Sequence, residues 1–279
     1  MKKILITGAN SYIGTSFEKY INENYSNDYV VDTIDMLSGA WREKSFVGYD
    51  SVFHVAGIAH QKETKKNATT YYSVNRDLAV EIAKKSKKDG VRQFIFLSSM
   101  SVYGMDTGII TKESIPNPKS HYGRSKWEAE QKIELLEDEN FSVCILRPPM
   151  VYGKDCKGNF QKIKRIVEKF PIFPYVKNKR SMIYIDNLSS FVRLCTDENL
   201  NGVFFPQNSE YVSTVDLAKG IGEAINKEIH LEYITGIAIS FLRLFHPMLK
   251  KAFGTLIYDI EETKKYCIVT KENSIKRSV

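Results

Sequence analysis

Through the first half of the chain, short and almost continuously apolar runs alternate with stretches whose apolar residues recur every three to four positions. Residues 3–7, 29–34, 51–55, 93–97 and 142–146 have the β-branched and aromatic content of strands buried on both faces. Between them, residues 12–25 carry Ile13, Phe17, Tyr20 and Ile21 at helical spacing, and 73–88 and 122–137 read as helices in the same way. This alternation predicts a parallel sheet covered on both sides, a doubly wound α/β fold. Beyond about residue 151 the rhythm loosens. A Lys/Gly/Asn-rich stretch, 154–162, leads into a helix at 160–169, and Pro171-Ile172-Phe173-Pro174 reads as a turn. A strand at 181–185 runs into a helix ending near Cys195, then a strand at 202–205 and a helix at 215–226. Last comes a basic apolar segment, 241–253, interrupted by Pro247. No internal repeat or low-complexity tract is present.

Composition narrows the function classes. With 43% hydrophobic and 26% charged residues, the 279-residue chain has the apolar content for a sizeable core, which excludes intrinsic disorder. Cys144, Cys156, Cys195 and Cys267 lie far apart with no CxxC and no Cys/His spacing of a metal site. That excludes a disulfide framework and a structural zinc, and fits a reducing compartment. Forty Lys and Arg against 33 Asp and Glu give a net charge of +7, but the basic residues are dispersed without a repeated aromatic platform, so nucleic acid is not an expected partner. The apolar run of residues 4–7 is too short for a signal-peptide core of ~7–15 residues. The longest apolar stretch, 234–245, is interrupted by Arg243 and falls short of the ~20 residues of a spanning helix. A soluble, cytoplasmic protein is expected.

Three local patterns carry chemistry. The first strand runs into Gly8-Ala9-Asn10-Ser11-Tyr12-Ile13-Gly14, a glycine turn that opens the first helix. Amides of such a helix N-terminus, here at Ser11, Tyr12 and Ile13, hold a pyrophosphate, with Gly8 making the tight turn and Gly14 the close helix–sheet contact. Asp35 ends the second strand 21 residues after Gly14, where a carboxylate accepts adenosine ribose hydroxyls and repels an added phosphate; Trp41 and Arg42 just beyond soften that preference. Tyr122 and Lys126, four apart on a helix, share a face, and a cation beside a phenol draws its titration down from ~10 toward neutrality. Each pattern alone has an ordinary alternative: a strand–helix connection, a cap, a solvated helix face. Their order along the chain, with Ser98 and Ser99 closing the fourth strand, sets them apart.

Together with Val52-Phe53-His54-Val55-Ala56-Gly57, Asn75, Ser98-Ser99-x-x-Val102-Tyr103-Gly104, Leu146-Arg147-Pro148 and Val151-Tyr152-Gly153, these residues resemble the extended short-chain dehydrogenase/reductase family, its NAD-dependent epimerase/dehydratase group acting on nucleotide sugars. Ser11 replaces the middle glycine of the family's turn. The resemblance implies a Rossmann-type domain over residues 1–153 and 180–197, and a small, discontinuous C-terminal substrate domain over 154–179 and 198–279. It makes Tyr122 the acid/base, Lys126 its electrostatic partner and ribose ligand, and Ser99 the hydroxyl that binds the reacting oxygen. Ala56 and Gly57 would pass the cofactor, Asn75 support the active-site helix and contribute to the cofactor site with Ser98, and Pro148 sit against the nicotinamide. Asn159 and Arg180 resemble residues that hold the nucleoside diphosphate of the substrate. His54 is expected to pack rather than catalyse. The cofactor implied is NAD(H) ahead of NADP(H), the substrate a UDP-sugar, and no metal takes part; a homodimer is the family's habit.

Family members that dehydrate the sugar carry an Asp-Glu pair where this chain has Met100 and Ser101, so 4,6-dehydration is not expected. The run Asn178-Lys179-Arg180-Ser181 resembles UDP-4-keto-6-deoxy-N-acetylhexosamine 4-reductases of surface-polysaccharide synthesis, which places a 4-reductase ahead of a UDP-hexose or UDP-N-acetylhexosamine 4-epimerase. An NAD(P)-sensing scaffold comes last, because both Tyr122 and Lys126 are present. The segment 241–253 is expected to be a substrate-domain helix over the sugar, ahead of a membrane-surface helix.

Overall fold

The computed structural model describes residues 1–59, 61–64, 66–263 and 274–279; His60 and Cys267 lie outside the described residues. The strands are β1 (Lys2–Thr7), β2 (Tyr29–Ile34), β3 (Ser51–His54), β4 (Gln93–Leu97), β5 (Gly108–Ile110), β6 (Ser142–Leu146), β7 (Met150–Tyr152), β8 (Ile172–Pro174), β9 (Met182–Tyr184), β10 (Gly202–Phe204), β11 (His230–Glu232) and β12 (Leu256–Tyr258). The chain divides into two compact units.

The first unit comprises Met1–Gly104, Ile115–Pro148 and Leu188–Pro206. Its six-stranded sheet, ordered β10-β6-β4-β3-β1-β2, is parallel throughout, with Ile4 opposite Ser51 and Phe94 opposite Val143. The apolar strands are buried because helices cover them. Helix α1 (Tyr12–Asn24) buries Gly14, Phe17 and Ile21. Leu5, Val52, Phe94 and Phe96 share one core cluster with Ile82 and Ala83 of one helix and Ala129 and Ile133 of another. The helix expected at 73–88 is longer and interrupted: α2 (Ala68–Tyr72) passes through a π-turn at Ser73–Leu78 into α3 (Ala79–Lys88). The widened turn buries Asn75, and such bulges recur at functional sites. Helix α4 (His121–Glu134) carries Tyr122 and Lys126. Cys144 on β6 and Cys195 are both fully buried, and each thiol lies beside the other.

The second unit comprises Met105–Ser114, Pro149–Asn187 and Gln207–Val279. It holds three two-stranded parallel pairs, β5 with β12, β7 with β9 and β8 with β11. Around them lie α5 (Asn159–Lys169), α7 (Thr214–Ala224), α8 (Tyr233–Leu242), α9 (Pro247–Phe253) and α10 (Ile260–Thr263), while α6 (Ile185–Asp197) crosses the division. Two expectations change here. Residues 172–174 form a strand rather than a turn, because β11 supplies its hydrogen-bonding partner. The strand near 181–185 pairs with β7 inside this unit, so 149–153 and 180–187 belong with it rather than with the sheet of the first unit. Pro247 opens α9, breaking the segment 241–253 into the end of one helix and the whole of the next. Among the described residues no helix is long and apolar enough to cross a membrane.

Candidate active site at the carboxyl edge of the sheet

The carboxyl ends of β1, β2, β3, β4 and β6 gather most of the residues singled out in the sequence. At β1, Gly8 has φ +122°, and a Cβ there would lie 2.8 Å from Ala56 N, so only glycine permits this approach. The Gly8 and Ala9 amides donate to Ile34 O at 2.9 and 3.1 Å, tying the turn to β2. The Ser11 hydroxyl is engaged as the N-cap of α1 and accepts from Gly14 N at 3.2 Å. A cradle that a side chain would fill, set against the N-terminus of a 13-residue helix, fits a dinucleotide pyrophosphate. Asp35 follows β2, accepts from Ser38 N at 3.3 Å, and stands at the start of a loop whose Met36, Ser38, Trp41 and Arg42 line a pocket with Ser73 and Glu81. Arg42 stacks 4.3 Å from the Trp41 ring and pairs with Glu81 at 3.0 Å. Its charge is thus offset where a further phosphate would need it, which fits NAD(H) better than NADP(H).

At β4, Ser98 N donates to Leu146 O (2.7 Å) and Met100 N to Pro148 O (3.0 Å), which sets Pro148 beside Ser99. Ser99 caps the short 3-10 turn Met100–Tyr103, its hydroxyl accepting from Ser101 N at 3.1 Å. Two caps fix the start of α4: Ser120 accepts from Gly123 N at 3.0 Å, and the Glu63 carboxylate accepts from His121 N (2.9 Å) and Tyr122 N (3.0 Å). Gly123 lets the helix press on the Ser99–Ser101 turn, since a Cβ there would meet Ser101 O at 2.5 Å. Burial pushes the Tyr122 phenol up, and the Ser99 hydroxyl beside it draws it back by favouring the phenolate. Lys126, buried, donates to Leu97 O at 2.7 Å and lies 4.7 Å from the Phe96 ring. Burial lowers its ammonium to about 8, opposed by the charge of Glu130 one turn along α4.

A profile of the NAD dependent epimerase/dehydratase family matches residues 4–203. The chain belongs to that family. It is therefore an NAD-dependent enzyme of the epimerase/dehydratase group. Among relatives, the UDP-glucose 4-epimerase of Vibrio cholerae is 30% identical over 95% of this chain and 89% of that protein. The N-acetyl-alpha-D-glucosaminyl-diphospho-ditrans,octacis-undecaprenol 4-epimerase of Escherichia coli O157:H7 is 24% identical over 98% and 88%. Among solved structures, UDP-glucuronic acid 4-epimerase from Bacillus cereus in complex with NAD aligns with a TM-score of 0.75 at 21% identity, over 99% of this chain and 95% of that one. At that identity the likeness is one of fold.

Asn75 and Ser98, named for the cofactor site, bond within the protein, Asn75 to the active-site helix that it was also expected to support. Asn75 is fully buried: its Oδ1 accepts from Ile58 N (2.7 Å) and its Nδ2 donates to Ile58 O (3.1 Å) and Ser125 Oγ (3.2 Å). It ties the loop after Gly57 to α4, a positioning role. Ser98 donates its hydroxyl to Glu130. That carboxylate also takes Arg147 in a bidentate pair, Nε at 3.2 Å from one oxygen and a terminal nitrogen at 2.6 Å from the other, while Arg147 donates to Tyr103 OH at 2.7 Å. The network joins β4, the 3-10 turn, α4 and β6 immediately behind Ser99, Tyr122 and Pro148. Glu63, Glu130 and Arg147 were not assigned roles from sequence. Glu130 was within reach, since it continues the Tyr122, Lys126 spacing by four more residues; Glu63 had no such signal.

His54 packs between Phe94 and Phe96, with ring centroids at 5.9 and 6.0 Å, and bonds Thr7 Oγ1 through Nδ1 at 2.7 Å. Its Nε2 has no hydrogen-bond partner among the described residues, and burial with the nearby Lys126 charge lowers its titration to about 3. In the second unit, Asn159 is the first residue of α5, after Gly158 at φ +100°. Arg180 donates to Lys251 O and, at 3.4 Å, to Ala252 O. Its guanidinium serves the carbonyls that end α9, where a diphosphate clamp was expected.

Proposed function

We propose that the chain catalyses hydride transfer at C4 of a UDP-linked hexose or N-acetylhexosamine as a 4-epimerase. The observation that supports this most directly is the grouping of Tyr122 with Ser99 at the end of β4 and Lys126 on the next turn of α4. Tyr122, as the phenolate, takes the proton of the C4 hydroxyl and becomes the phenol, Ser99 donates to the same oxygen, and the Lys126 cation favours the phenolate form that acts as the base. The nicotinamide, when bound, supplies the hydride acceptor and later the donor. Gly8, Ser11, Tyr12, Ile13, Gly14, Asp35, Ala56, Gly57 and Pro148 would hold the dinucleotide, with Asn159 among the contacts to the substrate diphosphate.

Met100 and Ser101 occupy the place of the acid pair that dehydration needs, and neither side chain titrates near neutrality. The 30% identity to a UDP-glucose 4-epimerase supports epimerisation over the reductase reading that the sequence alone favours. Reduction of a UDP-4-keto-6-deoxy sugar stands second, on the run Asn178-Lys179-Arg180-Ser181. The relative named for an undecaprenyl diphosphate sugar supports testing that carrier beside UDP, since both present a hexose on a diphosphate.

The deciding assay incubates the purified protein with UDP-glucose, UDP-N-acetylglucosamine, N-acetylglucosaminyl-diphospho-undecaprenol and the UDP-4-keto-6-deoxy sugar, with and without added NADH. Interconversion of C4 epimers without net NADH consumption is expected. Stoichiometric oxidation of NADH by the keto sugar, with no epimer formed from the others, would replace the epimerase by the reductase.

A further inference from the structure

Helices α8 and α9 carry large apolar residues on the outside of the second unit. Ile234 is 78% exposed, Ile237 72% and Phe241 62%, and their three-to-four spacing lines them along one side of α8; Phe245 (73%), in the turn after α8, lies 5.4 Å from the Phe241 ring, and Met248 (74%) adds a further exposed apolar side chain on α9. The opposite side of α8 is the seated one, with Gly236 buried. Nor is the element loose: Arg243 donates to Phe253 O at 2.7 Å, and Arg180 donates to Lys251 O, so two guanidinium groups close the end of α9. A contiguous apolar face of this kind, rigidly presented, marks an interaction surface.

Charge indicates what covers it. The 21 residues from Tyr233 to Phe253 include no acid and include Arg243, Lys250 and Lys251. Lys250 and Lys251 are exposed at the end of α9. The strand of chain at 177–179 runs alongside, with Lys177 O accepting from Arg243 and Lys179 O from Leu256 N, and it adds the exposed Lys177 and Lys179. The nearest acid before α8, Glu232, is folded back as its N-cap. An apolar stripe flanked among the described residues mainly by cations, with Glu232 held as the N-cap at one end and Asp106 set beside Arg180 at the other, is complementary to a bilayer surface of anionic lipid, whose acyl boundary takes the aromatic and aliphatic side chains while its headgroups meet the lysines. A second copy meeting this face with its own would bring more lysine to it rather than negative charge.

We infer that α8 and α9 dock the protein on an anionic lipid surface, lying in the interface without crossing it. The inference goes beyond the catalytic reading and does not depend on it, because adsorption is measured without turnover. The test is co-sedimentation of the full-length protein with extruded vesicles of phosphatidylcholine alone or with 30% phosphatidylglycerol, at 50 mM and 500 mM salt. Binding to the anionic vesicles is expected at low salt, at least tenfold weaker on phosphatidylcholine or at high salt. Phe241→Glu with Phe245→Glu, both at exposed positions, should weaken it a further tenfold or more while leaving the circular dichroism spectrum and thermal midpoint unchanged. Lys250→Glu with Lys251→Glu should remove the preference for anionic lipid, which keeps the test decisive even where the first variant is poorly folded. Wild-type protein that stays in the supernatant with both vesicles at low salt would overturn the inference. So would apolar-face variants that bind like wild type. A wild-type dimer in analytical ultracentrifugation that the Phe241→Glu, Phe245→Glu variant converts to monomer, without any vesicle binding, would assign the face to a second copy instead.

Discussion

Lys126 is a cation held where water does not reach it, and its two dependences on pH run in opposite directions. Its ammonium titrates near 8 in the folded chain, against 10.5 for an ordinary lysine. If turnover requires the Lys126 cation as proposed, activity is expected to fall as pH rises through about 8. Stability behaves the other way: between 8 and 10.5 the unfolded chain binds more protons, so unfolding free energy rises with pH across that window. Comparing wild type with Lys126→Met by initial rate and by urea unfolding at pH 7 and 9.5 checks both signs. Tyr122→Phe is expected to lower turnover by about 10²–10⁴-fold while cofactor affinity, followed by nucleotide fluorescence, stays near wild type. The placement of such residues was legible from spacing: Tyr122 and Lys126 one turn apart on a helix, Asp35 just after the second strand. Arg180 was misread, since the fate of its guanidinium is set by carbonyls 71 residues away.

At the level of the element, α4 is a rod that presents Tyr122, Lys126 and Glu130 on successive turns. The Glu130–Arg147 pair sits at 1% and 7% side-chain exposure, so its attraction is unscreened while its desolvation cost is high. Glu130→Gln, which leaves Arg147 facing a neutral amide, should cost about 3–5 kcal/mol, read as a shift of the urea midpoint. Replacing both residues together by apolar ones of similar volume should cost much less. The amphipathic period of α4 was plain in the sequence, whereas the π-turn at Ser73–Leu78 was not, because it adds a residue to a turn without altering the apolar pattern. The three-residue strands of the second unit escaped for a related reason. Three positions cannot display an alternation, and their pairing depends on partners such as β11 for β8 and β12 for β5.

For the molecule as a whole, the buried His54 makes acid the direction of weakness. Its imidazole titrates near 3 when folded and near 6.5 when unfolded, so the unfolded chain gains a proton first as pH falls. Stability from this group is complete above 6.5 and declines toward 3 by up to about 1.4 kcal/mol per pH unit. In His54→Gln the difference in unfolding free energy between pH 7 and pH 5 should shrink, as measured by urea titration. The middle of the parallel sheet was readable from sequence because β3, β4, β6 and most of β1 are apolar on both faces, whereas β2 and β10 at the edges are half-exposed. The break near Pro148 was marked by the looser rhythm after about residue 151, but the crossings at Gly104, Ser114, Asn187 and Pro206 carry no such mark. The buried sulfurs offer a way to follow that division in time. Cys144 and Cys195 lie in the first unit and Cys156 in the second, all three sealed from solvent. A thiol reagent reaches each only when its own unit opens, so peptide-resolved alkylation rates provide two independent clocks within one polypeptide. Equal rates at Cys144 and Cys156 would mean that both halves breathe together, and a faster Cys156 that the half bearing α8 and α9 opens alone.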